Sequence, residues 1–147
     1  MYNITLNKIE KKFDYVELFL YNSFSIFKTN NTRIAASNCK KNQIIYLETY
    51  DPSMEIIQKA KEKKSIFLIN LLDIINEEGS NRSKTINNIK LFLRLCIKYK
   101  VEFIMCFLAS NESELRTLKE GIALGTLLGL KHKQAKDAFI KIKDLKK

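Results

Sequence analysis

The sequence predicts an α/β protein on parallel strands, a reduced barrel or a partial β/α sheet. Three observations carry this expectation. Two runs, SIFLIN (65–70) and VEFIMCFLA (101–109), are almost unbroken in apolar residues, as in strands buried on both faces. Segments with three- and four-residue apolar spacing separate and follow them, a rhythm that favours a parallel sheet covered by helices. The chain has 147 residues, whereas a complete eight-fold barrel takes about 250 and at least roughly 200. One domain over 1–147 is expected at this length.

The first half reads as strand-rich. YNITL (2–6), YVELFL (15–20), SFSIF (23–27), RIAAS (33–37) and QIIYLET (43–49) are short β-branched and aromatic runs between polar breaks. DPSMEIIQKAKEKK then reads as a helix. Pro52 suits its first turn, and Met54, Ile57 and Ala60 form its apolar stripe. After the strand at 65–70, LLDIINEEG is a short helix that Gly79 is placed to close. Residues 80–100 form a long amphipathic helix, and 101–109 the second buried strand. Residues 110–129 are one helix or two, with Asn111 and Glu114 spaced as a capping box. Residues 131–144 form a last amphipathic helix.

In the long helix, Ile86, Ile89, Leu93, Cys96 and Ile97 share a face that is expected to pack on the sheet. Lys84, Asn88, Leu91, Leu95 and Lys98 lie opposite, with Arg94 at their edge. Leu91 and Leu95 on this polar side point either to a protein partner or to cover by another element of the same chain.

Lys and Arg number 26 against 16 Asp and Glu, a net charge of +10. A small chain this basic favours a polyanionic partner, usually nucleic acid. Cys39, Cys96 and Cys106 lack CxxC spacing and sit in or beside apolar segments, as buried thiols in a reducing compartment would. MYNITLNKIEKK has no apolar signal core. No apolar run approaches the roughly 20 residues of a membrane span. A soluble, cytoplasmic protein is expected.

Catalytic chemistry is not assembled by the sequence. The single histidine, His132, lies between lysines, and no His/Cys/Asp/Glu set has metal-ligand spacing. No GxxxxGK[ST] loop is present. Asp73, Glu77 and Glu78 on one short helix read as helix solvation rather than a two-metal site.

From Gly79 onward the chain resembles a known family. Gly79, Arg82, Lys98-Tyr99-Lys100-Val101, Ala109-Ser110, Leu115-Arg116, Ala123-Leu124-Gly125, Leu128-Gly129 and Gln134-Ala135-Lys136 keep the order and spacing of the archaeal ribonuclease P protein component 3 family. Its eukaryotic counterpart is the 30-kDa subunit. Residues 43–75 fit its preceding β/α/β portion more loosely. Glu102 stands where the family has proline, Leu108 where it has a polar residue or glycine, and Thr117-Leu118 where it has a further proline.

The resemblance implies a TIM-barrel-like (PHP-like) fold, shortened on the N-terminal side. It implies a subunit of the ribonucleoprotein that removes the 5′ leader from precursor tRNA. In that enzyme the RNA carries the catalytic Mg2+, so this chain is expected to bind no cofactor or metal and to supply no catalytic residue. The implied partners are ribonuclease P RNA, precursor tRNA and the component 2 protein, in a hetero-oligomer. Arg82, Lys84, Arg94, Lys98, Arg116 and Lys119 are the candidate RNA contacts, and Leu91 and Leu95 the candidate partner surface. Arg82 and Arg116 flank the ends of neighbouring elements and are expected on one rim of the sheet. Two other readings stand beside this one: a protein–protein scaffold that binds no RNA, and a metal-dependent phosphoesterase of related barrel fold, against which a lone histidine argues.

GIALGTLLGL (121–130) places Gly121, Gly125 and Gly129 four residues apart. Membrane helix pairs use such spacing, but Glu120 and Lys131 bound the stretch. Gly125 and Gly129 match the resembled family, where close backbone approach and a helix C-cap fit them. Gly121 has no counterpart there.

Overall fold

The structure is a computed structural model that describes residues 2–5, 17–20 and 24–145. In chain order the elements are β1 (Tyr2–Thr5), β2 (Glu17–Leu20), β3 (Ile26–Thr29), α1 (Thr32–Ser37), β4 (Ile44–Leu47), α2 (Met54–Lys63), β5 (Ile66–Asn70), α3 (Leu72–Ile75), α4 (Gly79–Tyr99), β6 (Glu102–Cys106), β7 (Leu108–Ala109), α5 (Leu118–Leu127), α6 (His132–Ile140) and α7 (Ile142–Leu145). Every strand pairing is parallel. One sheet runs β3-β4-β5-β6 and the other β2-β1-β7. Only Phe107 separates β6 from β7, so the apolar run 101–109 carries the strand direction from one sheet into the other.

The strands at the centre are fully apolar for the reason the sequence suggests. All residues of β4 and β5 are buried, because helices cover one face and the second layer of the core fills the other. Phe67 and Phe92 meet edge to face at 4.7 Å, and Phe107 stacks on Phe139 at 6.0 Å. Cys39, Cys96 and Cys106 are buried, and burial raises all three thiol pKa values.

Several elements depart from expectation. Residues 33–37 are not a strand but α1. Asn31 Oδ1 accepts from the backbone N–H groups of Arg33 (3.0 Å) and Ile34 (3.1 Å), an N-cap that starts a helix. Ala35 and Ala36 bury the short inner face, and Ile34 stands outward. Pro52 precedes Ser53, the N-cap of α2, so it lies outside the first turn. Met54 is 36% exposed and Ile56 takes its place in the buried stripe. Gly79 does not close α3 but opens α4, with φ +57°. Leu6, Tyr15, Val16 and Ser23 of the expected strands lie outside the described residues.

The stripe on α4 is rotated from the expected one. Ile89, Phe92, Leu93 and Cys96 are buried, at i, i+3, i+4 and i+7. Ile97 is 41% exposed, and Ile86 and Leu95 are partly buried against the core. Phe92 fixes this rotation, because its ring needs the interior slot between Tyr50 and Phe67.

Three helices end alike. The N–H of Ser65 reaches the carbonyl of Ala60 (2.9 Å), that of Val101 reaches Cys96 (2.8 Å), and that of Leu130 reaches Gly125 (3.1 Å). Each is the long bond of a Schellman motif around a left-handed residue. That residue is Gly129 (φ +94°) after α5, but Lys64 (φ +57°) after α2 and Lys100 (φ +56°) after α4. The glycines of α5 also explain its contact with α6. A Cβ on Gly121 would collide with the Phe139 ring, and one on Gly125 would lie 2.7 Å from Ala135 Cβ. The two helices pack where α5 has no side chain.

Candidate nucleic-acid interface

Parallel strands release all their following segments at one end, the carboxyl end, where α/β folds gather their sites. Among the described residues these are the segments after β3, β4, β5 and β7, of which those after β4 and β5 matter first. A buried polar network ties those two together. Asn70, the last residue of β5, is 6% exposed. Its Nδ2 donates to Tyr46 Oη and to Asp73 Oδ1, both at 3.2 Å. Its Oδ1 accepts from the N–H of Leu72 (3.2 Å) and of Leu108 (3.1 Å). Both donors and both lone pairs are therefore used. Tyr46 and Tyr50 donate to Asp73 Oδ2 at 2.7 and 2.6 Å, and the Asn70 N–H donates to Tyr50 Oη at 2.9 Å.

This overturns the reading of Asp73 as helix solvation. Its carboxylate turns inward and receives three donors. Burial pushes its pKa up, opposed by the bonds from Tyr50 and Tyr46. Burial, then the charge of Asp73, pushes both phenol pKa values up, so the phenols stay protonated donors. Lys28 Nζ sits over the Tyr46 ring at 5.6 Å, within cation–π range. Tyr46, Tyr50 and Asn70 were not candidates in the sequence reading. The one signal was a polar residue, Asn70, ending an otherwise apolar strand. A densely bonded network of this kind holds the rim in one shape.

The raised Asp73 pKa sets a pH dependence. The unfolded chain gives up this proton near pH 4, the folded chain only higher. Stability therefore falls as pH rises from about 4 through the folded value, then levels off. Asp73→Asn will remove that fall. Thermal midpoints of parent and variant from pH 4 to 8 check it, and parallel profiles would refute it.

Two predicted RNA contacts are braced against the backbone. Arg82 donates through Nε to the carbonyls of Ile74 (3.1 Å) and Glu77 (2.7 Å), and through Nη2 to that of Ile75 (3.1 Å). It thereby satisfies the open carbonyls at the end of α3. Arg116 donates through Nη1 to Ser113 (2.7 Å) and Leu115 (2.9 Å) and pairs with Glu120 at 3.7 Å. Glu114 accepts from the Ser110 N–H (3.0 Å) and steadies a short 3₁₀ turn, Glu112–Glu114. The expected capping box at Asn111 does not form, and α5 is instead capped at Thr117. Thr117 Oγ1 accepts from the Glu120 N–H and donates to Glu120 Oε1, both at 3.2 Å.

The six basic candidates do not share one rim. Arg82 and Lys84 open α4, Arg116 precedes α5 and Lys119 is in its first turn. All four thus lie in segments that leave the carboxyl ends of β5 and β7. Lys98 lies in the last turn of α4, about 21 Å along the helix from Lys84, with Arg94 between them. Lys84, Arg94, Lys98 and Lys119 are exposed. Of the two leucines, Leu91 is 37% exposed whereas Leu95 packs on the core. Between α5 and α6 an apolar groove of about 580 Å³ is lined by Leu118, Ile122 and Ala123, with Lys119, His132 and Lys136 at its edge. Among the described residues no three His, Cys, Asp or Glu side chains stand close enough to share a metal ion, and no helix is long and apolar enough to cross a membrane.

The family described as RNase P subunit p30 matches residues 44–143. Ribonuclease P protein component 3 of Methanosarcina mazei is 28% identical over 86 residues, 58% of this chain and 36% of that protein. A chain in a cryo-EM structure of archaeal ribonuclease P with mature tRNA superposes with a TM-score of 0.72 at 14% identity, over 84% of this chain and 56% of that one. The chain thus spans about a third of one relative's length and just over half of the other's. The shared architecture is the parallel α/β, TIM-barrel-like fold expected from the sequence.

Proposed function

Because the chain belongs to the RNase P subunit p30 family, we propose that it is a protein subunit of ribonuclease P that assists RNA-catalysed removal of the 5′ leader from precursor tRNA. The observation that carries this is the family match over residues 44–143, which holds β4 to β7 and the helices α2 to α6. The charge supports it: +10 on 147 residues suits a polyanionic partner.

In this reading the chain supplies counter-charge, not a nucleophile or a base. Lys84 and Lys119 are exposed cations on the carboxyl rim, and Arg82 and Arg116 hold the backbone that presents them. Cations there neutralise phosphates of the folded RNA and lower the Mg2+ it requires. The catalytic metal ions belong to the RNA. The partner protein, of the component 2 kind, is proposed to cover Leu91. Leu95 beneath it contributes through packing, and Arg94 lies at the boundary of the two surfaces.

The test is reconstitution with the cognate RNA and a component 2 protein, assaying precursor-tRNA cleavage with and without this chain. Cleavage at low Mg2+ will depend on the chain. Lys84→Ala with Lys119→Ala will lower the slope of log affinity against log salt by about 1.5 without moving the thermal midpoint. If cleavage is indifferent to the chain, the subunit reading falls. If only the slope is unmoved, the rim assignment falls.

A further inference from the structure

The opposite, amino end of the sheet carries a second basic feature that the carboxyl-rim reading leaves unused. The segments entering β4, β5 and β6 each place a residue in the left-handed region: Asn42 (φ +61°), Lys64 (φ +57°) and Lys100 (φ +56°). Glycine or asparagine is the usual choice there, because a Cβ crowds the backbone. Two of the three positions hold lysine instead. A side chain kept where its absence would relieve strain points to a use for that side chain.

These residues line one cleft of about 330 Å³, together with Lys61, Ser65 and Glu102. The walls are fixed by bonds between the three segments. The Asn42 N–H donates to the Lys64 carbonyl at 3.0 Å, and Ser65 Oγ donates to the Lys40 carbonyl at 2.8 Å. The acidic groups nearby are already engaged. Glu102 pairs with Lys141 at 2.9 Å, and Glu62 with Lys59 and Lys63 at 3.7 and 3.4 Å. Among the described residues no ion pair is formed by Lys61, Lys64 or Lys100. Lys40 and Lys41 lie beside Asn42, and Lys98 two residues before Lys100. The cleft thus has cations in excess, on a rigid frame, and no aromatic ring in its lining.

We propose that this amino-end cleft is a second RNA site, binding the phosphodiester backbone through Lys61, Lys64 and Lys100. Point-charge lysines without a stacking platform contact phosphates rather than bases. This inference rests on the reading of the chain as an RNA-bound subunit and extends it. With contacts at both ends of the sheet, the protein bridges two segments of RNA instead of resting on one.

The left-handed lysines offer a test in which fold and function move in opposite directions. In the full chain, Lys64→Gly with Lys100→Gly keeps the backbone and relieves strain, so its thermal midpoint will equal or exceed the parent's. Fluorescence anisotropy with a labelled precursor-tRNA transcript, over a KCl series, will show a salt slope lower by about 1.5 and roughly tenfold weaker binding near 0.1 M salt. Lys61→Glu, at an exposed helical position, will weaken it further. A higher midpoint with unchanged RNA affinity and slope would overturn the proposal. The Lys84→Ala/Lys119→Ala variant, run alongside, separates the two ends. If it alone weakens binding the cleft fails, and if the glycine variant alone does so the carboxyl-rim reading fails.

Discussion

Asn70→Ala will destabilise the protein by about 3–5 kcal/mol, because it strips partners from several buried groups at once. The amide uses all four of its hydrogen-bonding positions, on Tyr46, Asp73, Leu72 and Leu108. Removing it leaves two backbone N–H groups without their acceptor and takes one donor from a carboxylate that burial already disfavours. Leu108 belongs to the strand that joins the two sheets, so the damage reaches beyond the local turn. Asn70→Asp will not rescue. It keeps the acceptors but sets a second carboxyl beside Asp73, where the amide had donated. Chemical denaturation of both variants checks this. A loss below about 1 kcal/mol for Asn70→Ala would mean that the network does not organise the rim.

Gly125→Ala and Gly121→Ala will each cost about 2–3 kcal/mol, although alanine in a helix interior is favoured over glycine by about 1 kcal/mol. The clash outweighs the propensity. At Gly125 the new methyl would lie 2.7 Å from Ala135 Cβ and 3.4 Å from Met105 Cε. Ala135 has no flexible end to move, so α5 and α6 must separate. At Gly121 three ring atoms of Phe139 lie within about 3.0 Å. That ring is fully buried and stacked on Phe107, which leaves it nowhere to turn. Phe139→Leu will partly rescue Gly121→Ala and not Gly125→Ala, because only the first clash is with that ring. Thermal midpoints of the singles and the double decide it. Neutral or stabilising alanines would show that the helices do not meet at these glycines.

Both effects depend on residues that the sequence shows and does not explain. The glycine spacing was visible, and its membrane reading could be rejected on length. That Gly121 faces Phe139 was not visible, since the two lie on different helices whose approach depends on the loop at Gly129. Asn70 was visible as a polar residue inside an apolar run. Its four partners come from positions up to 38 residues away. The error at 33–37 has a local cause, since RIAAS holds a single β-branched residue and no aromatic one, and its two alanines after the Asn31 cap favour a helix. The errors on α4 have a distant one. Ile97 and Leu95 exchange places relative to the expected stripe because Phe92, not the aliphatic average, occupies the core.

By itself, the amino-acid sequence determined that buried parallel strands alternate with helices and that cations are in excess. These follow from composition and short-range periodicity, which act within one element. Only the tertiary structure decided which cations share an end of the sheet, that Arg82 and Arg116 brace backbone carbonyls, and that Asp73 is held by two tyrosines and an asparagine. Those outcomes depend on how segments far apart in sequence are brought together, and parallel pairing sets that through its crossover connections: it gathers one set of loops at the carboxyl end and the other at the amino end.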